Sequence, residues 1–350
     1  MASDKPVSQT CLDEKFKFLN QAGKGTYGTT WVALDRESGS KVVVKAISKQ
    51  TTSRVSFKKE FKYSRLLSDH PSIIYTHDSA YETKTSYVLV QDFAEGGDLF
   101  DAIQPEVGLS ESKARKVLRQ VAQALEYMHS KKLVHRDVKP ENVVMTEKGG
   151  TGVKLIDFGM TLRSGAHVSK VCGSIPYTPP EICSASGDLG FYVHSSCDVW
   201  SVGVLLFCML TGSFPWEQAT LNDPNFYEFA MWQTGVSSSV PYLWRNFSPR
   251  LLELFSKLLC IDPQKRSKIS EVYHYLNDPW LNNTRVPVCL VRPCDSGYEP
   301  SLEELVDNKS ASESKVEEED VLDTVTDSQR HMCQPWTHPA SSAFFPVSAC

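Results

Sequence analysis

Read for apolar spacing alone, the chain changes character twice. From about residue 15 to 93, short runs rich in β-branched and aromatic residues ("KFKFLNQA", "TTWVALD", "KVVVKAI", "SYVLVQDF") alternate with turn residues, which predicts strands. One stretch, "SFKKEFKYSRLL" at 56–67, interrupts them and predicts a helix. From residue 95 onward helices dominate. "SESKARKVLRQVAQALEYMHS" puts Ala114, Val117, Leu118, Val121, Leu125 and Met128 on one face at helical spacing. "SCDVWSVGVLLFCMLTG" is apolar almost all round, as a helix in the middle of a domain should be. The fold class expected is α+β, a small sheet-rich lobe followed by a larger, mainly helical one. After 281 the chain turns acidic and Ser-rich ("SLEELVDNKSASESKVEEEDVLDTVTDSQ"), with too little apolar surface to offset the entropy of ordering it. Residues 282–350 are therefore expected to be mostly disordered, as are residues 1–14. There is no internal repeat.

Composition narrows the class. The 350 residues carry a net charge of −5, so no basic excess argues for nucleic acid or an anionic membrane surface. The polar start "MASDKPVSQT" lacks the apolar stretch of a signal peptide, and the longest apolar run, 202–210, is too short to span a bilayer. Ten cysteines are scattered with no C-x-x-C among them, which reads as reduced thiols in a cytoplasmic protein rather than a disulfide framework or a metal site.

Candidate chemistry concentrates in a few places. "LVHRDVKPENVVM" sets Asp137, Lys139 and Asn142 between apolar flanks, either a local salt-bridge knot or three groups arranged around a phosphate. "AGKGTYGTT" fits G-x-G-x-x-G through Gly23, Gly25 and Gly28, and glycines let backbone N–H groups approach phosphate oxygens. A dinucleotide fold would place a helix directly after them. Here a strand follows, so the glycines belong to a hairpin able to cover a nucleotide. "KVVVKAI" buries Lys45 among valines, where its ammonium needs an anion, and Glu60 on the following helix is the candidate. "VKLIDFGM" ends an apolar run on Asp157, which with Asn142 offers the hard oxygens Mg²⁺ prefers.

In this order and spacing, the glycine loop, Lys45, Glu60, His135-Arg136-Asp137, Asn142 and Asp157-Phe158-Gly159 resemble the eukaryotic protein kinase family over residues 15–281. That resemblance implies a bilobal fold with an antiparallel-sheet lobe (15–93), a hinge (94–97) and a helical lobe (98–281). It also implies transfer of the ATP γ-phosphoryl group to protein hydroxyls with Mg²⁺ as cofactor. Asp137 is then the catalytic base, Lys139 the group that neutralises charge on the transferred phosphoryl, and Asn142 and Asp157 the metal ligands. Lys45, held by Glu60, contacts the α- and β-phosphates. The loop Ala22, Gly23, Lys24, Gly25, Thr26, Tyr27, Gly28, Thr29 and Thr30 covers the nucleotide. Val43, Gln91, Asp92, Ala94 and Val144 surround the adenine, with Gln91 as gatekeeper, and Asp98 meets the ribose. Asp198 resembles the buried aspartate that holds the catalytic-loop backbone, and Glu181 and Arg266 the ion pair that pins the end of the activation segment. Lys139 and Ser174 favour serine/threonine over tyrosine specificity.

Stretches such as "AIQPEVGLSE" and "GVLLFCMLTGSFPWE" are similar to the SH3-binding-domain kinase group, yet the tail has no P-x-x-P, so SH3 binding is not expected of it. The partners expected are protein substrates with Ser or Thr acceptors, and the expected state is a monomer. The chain also departs from the family. Lys170 stands where relatives carry an activating phosphothreonine, which leaves Ser164 or Ser169 for that role, or no phosphate at all. Ser64 stands where relatives place a large apolar residue behind Phe158, so the helix bearing Glu60 is expected to need support from a partner or the tail. Glu141 favours a basic residue before the target, whereas Cys208 replaces a second acid. The alternative reading is a pseudokinase, a nucleotide-binding scaffold without turnover.

Overall fold

The alternating runs of the first hundred residues close into a five-stranded antiparallel sheet of order β1-β2-β3-β5-β4. Its strands are β1 (Phe16–Gly25), β2 (Gly28–Asp35), β3 (Lys41–Ser48), β4 (Thr76–Glu82) and β5 (Ser86–Asp92), with α1 (Gln9–Lys15) before β1 and α2 (Arg54–Leu67) between β3 and β4. This is a computed structural model in which residues 9–25, 28–168, 175–185 and 190–282 are described. The chain divides into the units Met1–Arg285 and Val286–Cys350, and every described residue lies in the first.

Period-two alternation sorts the sheet into two faces. Val42, Val44, Val88 and Val90 pack with Phe16 and Leu12 on one side. On the other, Ile47, Tyr87 and Leu89 meet Phe57 of α2, whose ring stacks on Tyr87 with centroids 4.9 Å apart. Lys45 shares this second face, so pleating alone turns it toward α2. Leu12 is part of the core, so the ordered chain begins earlier than the expected disordered stretch 1–14 allows: residues 9–15 are helical. Ser53 caps α2 by accepting from Ser56 N–H, which starts the helix two residues before its apolar pattern.

The linker after β5 is tied to the second lobe by paired backbone bonds, Gly96 N–H to Met145 O at 3.0 Å and Met145 N–H to Gly97 O at 2.8 Å. Beyond it come α3 (Leu99–Ala102) and α4 (Glu111–Ser130), then the short strands β6 (Leu133–Val134), β7 (Val143–Met145), β8 (Val153–Leu155), β9 (Leu162–Arg163) and β10 (His167–Val168). After these follow α5 (Pro180–Cys183), β11 (Phe191–Tyr192), α6 (Ser196–Thr211), α7 (Pro224–Gln233) and α8 (Pro249–Leu258). All but the last residue of α6 are buried, as its all-round apolar sequence requires, and Gly212 ends it with a left-handed φ of 69°. Trp200, Trp216, Phe226, Phe229 and Trp244 form a connected aromatic core beside it. The expected periodicity of α4 holds, with Ala114, Val117, Leu118, Val121, Leu125 and Met128 all buried. Glu111 accepts the N–H groups of Trp280 and Leu281, which fastens the end of this lobe to the start of α4. Among the described residues no helix is long and apolar enough to cross a membrane.

Candidate active site

The groups singled out in the sequence meet where the two lobes face each other. From the sheet, Lys45 Nζ lies 2.9 Å from Glu60 Oε1 and 2.9 Å from Asp157 Oδ1. Glu60 belongs to the buried stripe of α2 (Phe57, Glu60, Ser64, Leu67), so its carboxylate is delivered by helical periodicity. Burial lowers the basicity of Lys45, but Asp157 and then Glu60 outweigh it, and the ammonium is held above its ordinary pKa. The same Lys45 charge depresses Asp157 from 3.8 to about 2, against an opposing push from burial.

Because Asp157 is depressed, the ion pair contributes fully above pH about 4, and its contribution fades as pH falls toward 2. The difference in unfolding free energy between the native protein and Lys45→Met is therefore expected to narrow across that window. Urea denaturation at stepped pH measures it, and a gap independent of pH between 4 and 2 would contradict the pairing.

The catalytic loop runs from β6 to β7 and is held from beneath by Asp198, at the start of α6. Asp198 is fully buried and accepts from His135 N–H at 2.9 Å, Arg136 N–H at 2.8 Å and His129 Nε2–H at 2.8 Å. Burial alone would raise its pKa, but these donors and the neighbouring histidines hold it below the ordinary value. Arg136 and Asp157 have positive φ, 71° and 61°, a conformation that costs non-glycine residues energy and persists where the surroundings impose it. His135 Nδ1 accepts from Asp137 N–H, so its proton sits on Nε2 and goes to Ile156 O at 3.0 Å. Its ring meets buried Phe158 edge-on, centroids 5.5 Å apart.

On this frame Asp137 presents a carboxylate whose Oδ2 lies 3.0 Å from Lys139 Nζ and accepts from Asn142 Nδ2 at 2.8 Å. Asn142 Nδ2 also donates to Asp137 O at 2.7 Å, which leaves its amide oxygen with no partner among the described residues. Asn142 O accepts from Ile156 N–H, so Asn142 and Asp157 stand side by side at the ends of paired β7 and β8. An unengaged amide oxygen beside one carboxylate suits a divalent cation that takes its remaining ligands from phosphates and water. Among the described residues there is no cluster of three or more His, Cys, Asp and Glu that would hold a metal by itself.

Strand register places the remaining predicted residues. Gly23, Lys24 and Gly25 pair with Thr30, Thr29 and Gly28 in the β1–β2 hairpin, which also carries Ala22. A Cβ on Gly28 would lie 2.0 Å from Ala46 O, so β3 demands a glycine there, whereas Gly23 and Gly25 have open space around them. Thr30 pairs with Lys45, and Val43 with Gln91. Gln91 is buried and donates from Nε2 to Thr76 Oγ1, while Asp92 ends β5 and leads into Ala94. Asp98 caps α3 and bridges Val144 across the cleft floor, and burial raises its pKa. Further off, Arg266 donates from both terminal nitrogens to Glu181 at 2.8 and 2.9 Å. Gly159 follows Phe158 with its N–H on Asp157 Oδ1, and Ser164 is exposed beyond β9. Thr26, Tyr27, Ser169, Lys170 and Ser174 lie outside the described residues, as does the tail from 283 onward.

Two features escaped the sequence reading. His129 reaches Asp198 across 69 positions with no motif to mark it. Thr76 and Ser68, buried behind α2, look like surface residues in the sequence.

A lysine clamped between two carboxylates, facing a second carboxylate paired with a lysine and an asparagine, is the architecture of a phosphotransferase. The protein kinase domain family matches residues 16–281. Serine/threonine-protein kinase SBK1 of Danio rerio is 46% identical over 270 residues, 77% of this chain and 70% of that protein. SBK1 of Mus musculus is 43% identical over 281 residues (80% and 67%), and serine/threonine-protein kinase SBK2 of Homo sapiens 34% over 272 (77% and 78%). The chain belongs to the eukaryotic protein kinase family, within its serine/threonine branch. Its activity is accordingly that of an ATP-dependent protein serine/threonine kinase, which uses a divalent metal.

Proposed function

We propose that this kinase passes the γ-phosphoryl group of ATP to a serine or threonine hydroxyl with Asp137 as the base, and that its metal is Mg²⁺. The observation that carries the reading is the double restraint on one carboxylate oxygen: Asp137 Oδ2 is shared by Lys139 and Asn142. A carboxylate held in this way would orient a substrate hydroxyl and take its proton as the oxygen attacks phosphorus. Lys139 offsets the charge of the transferred group, and Lys45, aimed by Glu60, positions the nucleotide's other phosphates. Asn142 and Asp157 would hold Mg²⁺, which when bound neutralises phosphate charge. Positioning and charge stabilisation supply most of such a rate.

The acceptor side has its own support. A recess beside Asp137 is lined by Tyr177, Thr178 and Pro179 of the segment before α5, together with Phe191 and Cys197, a seat for an extended peptide. Cys208 is buried beneath Tyr177, so it adds no acid to that surface. Arg136 donates to Met160 O and lies 5.9 Å from the Phe191 ring centroid, partners that answer its charge without a phosphate. We place the protein in the cytoplasm, in keeping with free thiols at Cys183, Cys197, Cys208 and Cys260.

The test uses dephosphorylated full-length protein, labelled ATP and a peptide library, with and without Mg²⁺. Label is expected on serine and threonine, dependent on the cation, and undiminished in a Ser164→Ala/Ser169→Ala variant. Nucleotide binding without label on any peptide would make the chain a scaffold and overturn the proposal.

A further inference from the structure

The buried stripe of α2 passes from Glu60 to Ser64, a small polar residue that is 1% exposed where the family resemblance implies a large apolar one. In place of such packing the structure has a chain of buried hydrogen bonds. Ser68 Oγ donates to Ser64 O at 2.8 Å and accepts from Thr76 N–H at 2.9 Å. Thr76, fully buried at the start of β4, accepts Gln91 Nε2 on its hydroxyl at 2.9 Å. Arg65, also on α2, donates to Thr76 O and pairs with Asp78 on the same strand. This chain links the last turn of α2 through β4 to the strand that ends at Asp92.

We propose that Thr76 and Ser68 are positioning residues for phosphoryl transfer, a polar clamp that sets α2 against the sheet and so holds Glu60 on Lys45. The proposal rests on the reading that the Lys45–Glu60 pair aims the nucleotide phosphates. Hydrogen bonds suit this task because they are directional. Apolar side chains tolerate sliding of a helix by fractions of a turn, whereas a shifted α2 would break the bonds that cross from its end to β4, leaving the Thr76 N–H and carbonyl without Ser68 and Arg65 in a dry interior. The helix is thus supported from within the domain, by groups at its own end and on the strand that follows it, and not only by a partner or the tail as the serine at 64 suggests. Gln91 is drawn into the same network, so the group behind the adenine and the group that aims the lysine share one restraint.

The experiment compares Ser68→Ala, Thr76→Val and Glu60→Gln in the full chain, with melting temperature, kcat and both KM values measured for each. Cutting either link is expected to raise KM for ATP and lower kcat, about tenfold in kcat/KM, the fold-change that corresponds to one net hydrogen bond. KM for the peptide is expected to stay within twofold. Thr76→Ser and Ser68→Thr, which keep the hydroxyls, are expected to recover most of the loss; a general weakening of the fold would not divide the two KM values in this way. If Glu60→Gln is impaired while both Ser68→Ala and Thr76→Val match the native enzyme, the clamp is refuted. If Glu60→Gln itself behaves as native, the underlying reading of Lys45 fails and the clamp proposal falls with it. Should Thr76→Val not fold, Ser68→Ala at the helix end decides by the same criteria.

Discussion

Asp137→Asn is expected to lower kcat by roughly 10²–10⁴-fold while nucleotide affinity stays close to that of the native enzyme. The substitution keeps the shape of the side chain and removes its ability to accept a proton. It also keeps the loop. Asn142 Nδ2 bonds to the backbone oxygen of residue 137 at 2.7 Å as well as to the carboxylate, and Asp198 holds the N–H groups of His135 and Arg136 independently. Lys45, which the proposal assigns to the nucleotide, lies elsewhere, restrained by Glu60 and Asp157. Chemistry and binding therefore separate at this position. Single-turnover transfer of labelled phosphate gives the first quantity and calorimetric titration with ATP the second. Loss of both would mean that the carboxylate props up the cleft, and loss of neither would place the proton acceptor at another residue.

How much of this was legible in the sequence depends on how local each signal is. Strands β1, β2, β3 and β5 announce themselves through β-branched runs, and α4 and α6 through periodicity, because the force that buries those residues also sets their spacing. Lys45, Asp137, Asn142 and Asp157 are legible together, since phosphate handling needs charged groups in apolar surroundings and few other tasks do. By contrast, β4 is an edge strand spelled "THDSAYE", with one residue in seven buried, so nothing apolar marks it. The helix of residues 9–15 hides for a similar reason, its hold on the core coming through Leu12 beside Phe16. Ser68 and Thr76 are harder still. A buried hydroxyl is recognisable only through its partner, and these partners lie up to 15 positions away on other elements. What sequence reading detects poorly is therefore the polar interior, where satisfaction is a property of the fold and not of the neighbouring residues.

Arg266→Met is expected to destabilise the protein by about 3–5 kcal/mol, the usual cost of removing one partner from a buried ion pair. The guanidinium side chain has no exposed surface, and every part of it is engaged. It donates twice to Glu181, once to Ser196 O at 3.0 Å and once from Nε to Cys260 O at 2.9 Å, and it lies 4.9 Å from the centroid of Trp200. Methionine fills part of the volume and takes the guanidinium donors away from the Glu181 carboxylate and from the Cys260 and Ser196 carbonyls. Converting both partners to apolar residues, as in Glu181→Leu/Arg266→Met, is expected to recover part of that loss, because an uncompensated charge costs more than an absent pair. Guanidinium denaturation with an unchanged slope measures the difference, and a change under about 1 kcal/mol would mean the pair is no more than an exposed one. Function reports the same bond by another route. Glu181 begins α5, directly after the Tyr177–Pro179 stretch that lines the recess beside Asp137. A loosened α5 moves the peptide seat and leaves Lys45 where it was, so KM for the peptide should rise while KM for ATP does not, the reverse of the pattern expected from the clamp behind α2.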